Sequence, residues 1–427
     1  MPIQPRPFRR TLAAVAALAI AAAVVLAGSE SASAAALVPQ QVAGSPDGVA
    51  NSVVIGSELY LSATGTGTTF HRLYRFDGTT FTEVPGSPDE VRAILPFGSL
   101  VFLTAQDPIS SVPVLWTYDP ASGAFTELPG SPANPDHLTA FNTELVFGAD
   151  AAVGRHLYSW DGTAFSDLTP TGTPGSPTDE VVNHNSLYFI AVNVVPHLYY
   201  YNGGGAVVGA TTDPGQIADL SKADDVLYFQ ADDDSDPSTP NVLMSLDDTT
   251  GIISTVLFAG SALPGGTRVT AFAGAYYVGS DTVAGLPLYR FSGPGAPLET
   301  VVGVSGGDTG AAVGLGSILY LPVRVFPVTL YAVDGTSGGP VAGSPADAGN
   351  LQVLNGTLYF TGTDDLAAPD RLWKLVTAAD PAQPQLAATG VDGVLSAVVG
   401  GAALASLLAG LLLVRSRFVR HGRAASQ

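Results

Sequence analysis

Two short apolar segments alternate along the chain and recur together about every 42 residues. Short apolar runs bounded by turn residues are typical of β-strands, so the pattern predicts eight copies of one β-unit. The first segments are Leu59-Tyr60-Leu61, Leu100-Val101-Phe102, Leu145-Val146-Phe147, Leu187-Tyr188-Phe189, Leu227-Tyr228-Phe229, Ala275-Tyr276-Tyr277, Leu319-Tyr320-Leu321 and Leu358-Tyr359-Phe360. The second segments are Leu73-Tyr74, Leu115-Trp116, Leu157-Tyr158, Leu198-Tyr199, Leu243-Met244, Leu288-Tyr289, Leu330-Tyr331 and Leu372-Trp373.

Each unit divides into four strands. In the second unit these are expected over 91–96, 100–104, 115–118 and 124–128. Asp-Gly pairs mark the third turn in several units and indicate tight hairpins with positive φ at both residues; they are Asp77-Gly78, Asp161-Gly162 and Asp334-Gly335. Asn355-Gly356-Thr357 has the form of a glycosylation sequon, but its place in the unit predicts a hairpin turn. Residues 37–375 show no 3.6-residue apolar period, so no helix is expected there.

The two ends of the array complement each other. The eighth unit ends after its third strand at Leu375, while residues 37–47 resemble 81–89, the end of the first unit. We therefore predict that the N-terminal strand completes the last sheet. Four strands per unit and a closed array of eight units predict an all-β, eight-bladed β-propeller over 37–375. The Leu-Trp/Tyr pair followed by Asp-Gly-Thr resembles bacterial propeller repeats, which are associated with secreted and surface proteins.

The N-terminus has the pattern of a secretory signal peptide. Arg6, Arg9 and Arg10 precede an apolar stretch from Leu12 to Gly28, and Ala32-Ser33-Ala34 offers a small-residue cleavage site. Residues 1–36 are accordingly predicted to be a signal-peptide helix that is removed. An uncleaved membrane anchor is the alternative.

The C-terminus combines a short motif, an apolar segment and a basic tail. Residues 393–414 form an apolar run of 22 residues, enough for a transmembrane helix. The tail, 415–427, contains four arginines, which predicts a cytoplasmic C-terminus. A linker of ten residues, 376–385, separates the array from the motif and reaches about 33 Å when extended.

The motif is Leu386-Ala387-Ala388-Thr389-Gly390. Together with the segment and tail behind it, this motif resembles the LPXTG-like sorting signal of Gram-positive surface proteins. Ala387 replaces the usual proline, as in a variant common in actinobacteria. The resemblance implies that a sortase cleaves between Thr389 and Gly390 and joins Thr389 to peptidoglycan, at the cell wall. A membrane anchor that stays uncleaved is the alternative.

Charge and composition restrict the partners. The chain has 37 acidic and 17 basic residues, and without the two processed ends residues 37–389 keep 35 acidic and 10 basic ones. Nucleic-acid binding is disfavoured because it requires clustered positive charge. The chain contains no cysteine, which excludes disulfides, thiol chemistry and a lipoprotein anchor.

Acidic residues concentrate in the second-to-third loops and in the crossings between units. These segments lie on one face of a propeller, so the pattern favours a negatively charged face that suits cations; solvated, solubilising loops are the alternative. Asp232, Asp234 and Asp236 have the alternate spacing of a calcium loop. Pro237 stands where that loop has glycine and no downstream glutamate completes it, so a solvated acidic loop remains the alternative.

Catalytic patterns are weak. Gly303-Val304-Ser305-Gly306-Gly307 fits G-x-S-x-G, but it lacks the strand–turn–helix context that this motif needs. The histidines show no metal-ligand spacing. The sequence therefore favours a wall-anchored, non-catalytic module that binds a glycan, protein or cation. An extracellular hydrolase or lyase with its site at the ring axis is the alternative, and a structural wall component is a third possibility.

Overall fold

The computed structural model describes residues 37–169, 175–192, 195–210, 216–231, 242–258, 261–262, 266–280, 287–293, 296–305, 309–324, 327–365 and 368–377. These residues form eight four-stranded antiparallel sheets and one additional hairpin, without a helix. The fold is an eight-bladed β-propeller, as the repeat predicts.

The strands follow the predicted four-strand unit. Blade 1 contains β2 (Asn51–Ile55), β3 (Glu58–Thr64), β4 (His71–Phe76) and β5 (Phe81–Glu83). Blade 2 contains β6 (Ala93–Phe97), β7 (Leu100–Gln106), β8 (Pro113–Asp119) and β9 (Ala124–Glu127). Blade 3 contains β10 (Ala133–Phe141), β11 (Glu144–Asp150), β12 (Arg155–Trp160) and β13 (Phe165–Asp167). Blade 4 contains β14 (Gly175–Asn183), β15 (Ser186–Val192), β16 (Pro196–Tyr201) and β17 (Val208–Gly209).

The second half repeats this order with one insertion. Blade 5 contains β18 (Ala218–Ala223), β19 (Val226–Ala231), β20 (Val242–Asp247) and β21 (Ile252–Thr255), followed by the hairpin β22 (Leu257–Phe258) and β23 (Ser261–Ala262). Blade 6 contains β24 (Gly266–Phe272), β25 (Ala275–Ser280), β26 (Pro287–Phe291) and β27 (Glu299–Ser305). Blade 7 contains β28 (Val313–Leu315), β29 (Ile318–Val323), β30 (Thr329–Val333) and β31 (Gly338–Pro340). Blade 8 contains β32 (Ala346–Leu354), β33 (Thr357–Thr363), β34 (Arg371–Thr377) and β1 (Leu37–Gln41).

The first strand of each blade is its inner strand. Inner strands of successive blades contact one another, as β2 does with both β6 and β32. The chain therefore runs outward through each blade and returns across it to the next. We call the face with the second-to-third loops and these crossings the upper face, and the face with the other turns the lower face.

The N-terminal strand closes the ring, as predicted. β1 pairs with β34 and is the outer strand of blade 8. Beyond this strand, the Val42 N–H donates to the Leu372 carbonyl with an N–O distance of 2.9 Å. Closure covers the sheet edge that an open array would expose.

Both sides of each blade are buried. In β3, Leu59 and Leu61 pack toward blade 8, whereas Tyr60 packs toward blade 2. The described residues form eight apolar clusters, one at each interface between neighbouring blades, including that between blades 8 and 1. This two-sided burial explains why the second strands are continuously apolar instead of alternating.

A recurring Gly-Ser-Pro sequence joins the outer strand of one blade to the next blade. Its serine hydroxyl accepts a hydrogen bond from the backbone N–H of the leucine in the neighbouring third strand. The pairs are Ser45 with Leu372, Ser87 with Leu73, Ser131 with Leu115 and Ser344 with Leu330, at 2.8 to 3.1 Å. The glycine has positive φ at each of these sites, which its missing Cβ permits.

The Asp-Gly turns lie where predicted but differ in conformation. At Asp77-Gly78 only the glycine has positive φ, so the expectation of positive φ at both residues is wrong. Instead, the Asp77 carboxylate accepts hydrogen bonds from the N–H groups of Thr79 and Thr80, both at 2.8 Å. Asn355 and Gly356 both have positive φ and form the hairpin turn predicted there.

Residues 37–376 form one compact unit, which contains every strand of the ring. Among the described residues, no helix is long and apolar enough to cross a membrane. The predicted signal peptide, sorting motif and transmembrane segment lie outside the described residues.

Candidate functional site

The calcium candidates Asp232, Asp234 and Asp236 lie outside the described residues, as do Leu386, Ala387, Ala388, Thr389 and Gly390 of the sorting motif. Within the part of the chain that the structure describes, no three histidine or acidic side chains converge as metal ligands. In the G-x-S-x-G sequence, Gly303 lies in the outer strand β27, not in a strand-to-helix turn.

Bulges distort the inner strands of blades 3, 4 and 8. In each of these strands, three residues twice oppose only two residues of the second strand. The second bulge places a non-glycine residue at positive φ: His137, Asp179 and Asn350. Such conformations are strained and concentrate at functional sites, and bulges redirect side chains.

The residue that follows the second bulge is a leucine in blades 3, 5 and 8 and a glutamate in blade 4. The strand registers align Leu138, Leu220 and Leu351 with Glu180. Leu220 and Leu351 are buried members of the apolar interfaces before their blades. Glu180 points to the corresponding interface between blades 3 and 4, where its side chain is only 1% exposed. A carboxyl group therefore occupies a buried position at which blades 3, 5 and 8 have leucine.

Burial is the main cause that raises the pKa of Glu180 to about 8, and the charges of Asp136 and Asp179 contribute in the same direction. Its Oε2 atom lies 3.5 Å from Nδ1 of His137, and its Oε1 atom is buried without a hydrogen-bond partner. Burial disfavours the ionised form of a carboxyl group because it removes the charge from water. Glu180 is thus a protonated acid near neutral pH.

Arg155 lies on the blade 3 side of this group. Its guanidinium binds Asp136 and also donates to Oδ1 of Asp150 at 3.0 Å and to the Asn134 carbonyl at 3.2 Å. Gly148 leaves the room for this arrangement, because a Cβ there would lie 3.0 Å from Asp136 Oδ1 and 3.3 Å from Arg155 Nη2. A planar guanidinium between two carboxylates holds all three groups in fixed orientation.

A cavity of about 520 Å³ opens beside Arg155 on the upper face, between blades 2 and 3. Its wall combines cationic, anionic and neutral polar groups with the apolar side chains of Ala93, Pro113 and Pro135. The polar residues that line it are Arg92, Thr104, Asn134, Asp136, Asp150 and Arg155. The cavity therefore offers both donors and acceptors to a polar ligand. Glu180 does not line it and lies behind the Asp136–Arg155 pair.

Elsewhere on the upper face, arginines neutralise several acidic residues. Arg72 pairs with Asp89 at 2.6 Å, and Arg371 pairs with Asp47 at 2.7 Å. Both pairs join a third strand to the crossing that follows it. The upper face is therefore less negative than its count of acidic residues suggests.

In the sequence, Glu180 is one of the acidic residues in the crossings between units. A signal was present, because the four aligned segments 136–138, 178–180, 218–220 and 349–351 read Asp-His-Leu, Thr-Asp-Glu, Ala-Asp-Leu and Gly-Asn-Leu. One departure from leucine identifies the position once the register is known. The Arg155 contacts have no comparable signal, because they depend on the bulges.

No family model and no curated protein matches this chain. Among solved structures, a computationally designed protein is similar with a TM-score of 0.52 and 14% identity, over 78% of this chain and 98% of that one. This likeness concerns the fold alone.

The β-propeller domain of the Trilobed protease from Pyrococcus furiosus has a TM-score of 0.45 and 9% identity, over 69% of this chain and 98% of that one. A prolyl endopeptidase structure has a TM-score of 0.48 and 13% identity, over 74% of this chain and 54% of that one. Similarity at this level says nothing about the function of the present chain.

Proposed function

We propose that the propeller is a non-catalytic binding module that recognises a glycan in the cavity between blades 2 and 3. The observation that carries this proposal is the mixed polar lining of that cavity. Sugar hydroxyl groups both donate and accept hydrogen bonds, so they match carboxylates and guanidinium groups placed side by side. The ion pairs of Arg155 hold the groups in position before a ligand binds, which lowers the entropy cost of binding.

The burial of Glu180 favours binding over catalysis. A general acid must reach the atom that it protonates, and Glu180 does not line the cavity. Its protonated form instead avoids an uncompensated charge behind the Asp136–Arg155 pair. Glu180 thereby supports the cavity wall without contacting a ligand.

Retention on purified cell-wall and extracellular glycan fractions tests this function. A recombinant protein of residues 37–385 should bind at least one fraction and release no fragments into the supernatant. Asp150→Asn, which weakens a bond to Arg155, should reduce retention by about tenfold. Asp47→Asn is the matched control, because Asp47 forms the same kind of ion pair outside the cavity, and it should bind like the wild type. Equal retention of both variants would refute the cavity as the site.

An extracellular hydrolase or lyase is the second candidate function, and one observation favours it. Raised carboxyl pKa values near other acidic groups occur at acid–base sites, and Glu180 has such a value. In that case the same supernatants contain glycan fragments, and Glu180→Gln abolishes their release while retention persists.

The proposed location is the cell wall, supported by the signal-peptide pattern and by the motif, apolar segment and basic tail of the C-terminus. Sortase would process the precursor, and peptidoglycan would be the covalent partner. Thr389→Ala should move the protein from the lysozyme-released wall fraction to membranes or medium. An unchanged wall fraction would contradict sorting and would leave the glycan-binding proposal intact.

A further inference from the structure

A second cavity lies on the lower face, between blades 4 and 5, and has a different lining. Its volume is about 340 Å³, which lies near the lower end of the range for small-molecule sites. Tyr188 and Tyr200 form one wall, with ring centroids 5.8 Å apart, and Leu246 and Ile253 belong to the opposite blade. Asp248 is the acidic residue of the lining, which also contains Ser186 and two glycines.

Asp248 is buried, and only one of its two carboxylate oxygens has hydrogen-bond partners. Its side chain is 6% exposed, and its Oδ2 atom accepts hydrogen bonds from Asn183 Nδ2 at 2.7 Å and His184 Nδ1 at 2.9 Å. Its Oδ1 atom is buried without a partner, and so is Oδ1 of the adjacent Asn183. Asp248 lines the cavity and its unsatisfied Oδ1 atom is an acceptor, so the group that would satisfy it is a donor.

Both residues depart from the pattern of the repeat. The turn of blade 5 is closed by the neighbouring Asp247, which accepts from the N–H and hydroxyl groups of Thr249 at 3.0 and 2.6 Å. Glycine follows the corresponding aspartate in blades 1, 3 and 7, where Asp248 stands in blade 5. Asn183 ends its inner strand at the place where blades 3 and 8 have the buried Phe141 and Leu354. Two polar departures from the repeat, 65 residues apart, therefore meet in one hydrogen bond, and one of them, Asp248, lines the cavity.

Electrostatics favour a positively charged donor. A second carboxylate, Asp225, lies close by, with Oδ1 3.9 Å from Nε2 of His184. Burial raises the pKa of Tyr188 to about 12, and the charge of Asp248 contributes to this shift. Tyrosine rings attract ammonium groups through their π-faces. A primary ammonium has three N–H donors and no acceptor, which complements the unsatisfied Oδ1 atom of Asp248.

We propose that the lower cavity between blades 4 and 5 binds a primary alkylammonium group, with the ammonium at Asp248 and its aliphatic stem between the tyrosine wall and Leu246. This site is independent of the proposed glycan site, because it lies on the opposite face and shares no lining residue with it.

Calorimetric titration with 1,5-diaminopentane tests the proposal, with 1,5-pentanediol as the neutral analogue of the same length. The protein of residues 37–385 should bind the diamine with a Kd below about 1 mM and the diol at least tenfold more weakly. Asp248→Asn removes the charge and keeps the shape, and it should weaken diamine binding by about tenfold or more. Asp247→Asn, one residue away in the same turn, is the matched control and should leave diamine affinity unchanged.

Three results would overturn the proposal: no saturable diamine binding, equal affinity for diamine and diol, or equal loss in the two aspartate variants. If Asp248→Asn does not fold, NMR of the wild type decides the question. The backbone amides of Gly209 and Gly251, which line the cavity, should then shift on diamine addition. Gly98 and Gly316, in lower-face turns of blades 2 and 7, should not shift. Shifts spread over all four glycines would contradict a single site.

Discussion

The inner strands of blades 4 and 8 share one backbone path and differ in what they bury. Both strands contain two bulges at the same register. In blade 8 the buried positions are Leu351 and Leu354, whereas blade 4 has Glu180 and Asn183 at these positions. Blade 8 uses the repeat for packing, and blade 4 uses the same geometry to bury polar groups.

The comparison shows how a repeat can carry function. The six other interfaces supply apolar burial at about 25 cal/mol per Å², so the two interfaces of blade 4 can tolerate costly polar groups. In blade 4, Glu180 and Asn183 lie on the same bulged backbone that carries buried leucines in blade 8. Departures from the repeat therefore identify the candidate sites better than any motif in the chain.

Placing the blade 4 residue in blade 8 should have the largest effect. Leu351→Glu removes a buried leucine and introduces a carboxyl group without a partner, so the free energy of unfolding should fall by about 5 kcal/mol at pH 9. Urea unfolding measures this change. A loss below about 1 kcal/mol would show that this position does not govern stability.

Removing the ionisable carboxyl group of blade 4 by Glu180→Gln should stabilise the protein at high pH. The pKa of Glu180 rises from 4.5 to about 8 on folding, so the folded state holds a proton that the unfolded state releases between these values. The contribution of Glu180 to stability is therefore fully present below pH 4.5, declines as the pH rises and levels off above pH 8. Glu180→Gln should raise the free energy of unfolding by a few kcal/mol at pH 9, with little change at pH 4.

Urea unfolding at pH 4, 6 and 9 checks the Glu180→Gln variant. Glu144→Gln is the control for loss of a carboxylate, because Glu144 accepts a hydrogen bond from Tyr201 at a more accessible place in the adjacent blade. A stability difference that does not vary with pH would contradict the raised pKa of Glu180.

Blade 8 differs from blade 4 in that it must join the N-terminal strand β1 to the last strand of the ring, β34. Ser45→Ala removes the acceptor for the Leu372 N–H, at 2.8 Å, and should lower the free energy of unfolding by about 1 to 2 kcal/mol. Ser131→Ala removes the same contact between blades 2 and 3 and serves as the comparison. A larger loss of unfolding free energy for Ser45→Ala would show that the protein depends more on the contact that closes the ring. Equal losses would show that the Ser45 and Ser131 contacts contribute equally to the free energy of unfolding.

The smallest effect concerns the bulge residue next to Glu180. Asp179 pairs with Arg268 of blade 6 at 2.9 Å, and the arginine is half exposed, so Asp179→Asn should cost less than about 1 kcal/mol. Because the Asp179 charge raises the pKa of Glu180, the variant should lower that pKa. Carbon-13 NMR of the side-chain carboxyl measures it, and an unchanged titration midpoint would contradict the coupling.

Much of the fold could be predicted from local pattern. Segments such as Leu187-Tyr188-Phe189 identify the second strands, and the likeness of residues 37–47 to 81–89 predicts the closing strand that β1 forms. The candidate sites could be predicted only in part. Asp47 and Asp89 lie in upper-face crossings, as the pattern predicts, but the sequence gives no signal for their arginine partners, because residues such as Arg371 and Asp47 are far apart in it.

The repeat period, the number of blades, the closing strand and the patterns of the two chain ends follow from the order of residues alone. They depend on local periodicity, which each segment expresses independently. The raised pKa of Glu180, the ion pairs of Arg155 and the half-satisfied Asp248 depend on which blade faces which. Only the closed ring brings Asn183 to Asp248 or Asp136 to Glu180, because burial and charge act through space and not along the chain.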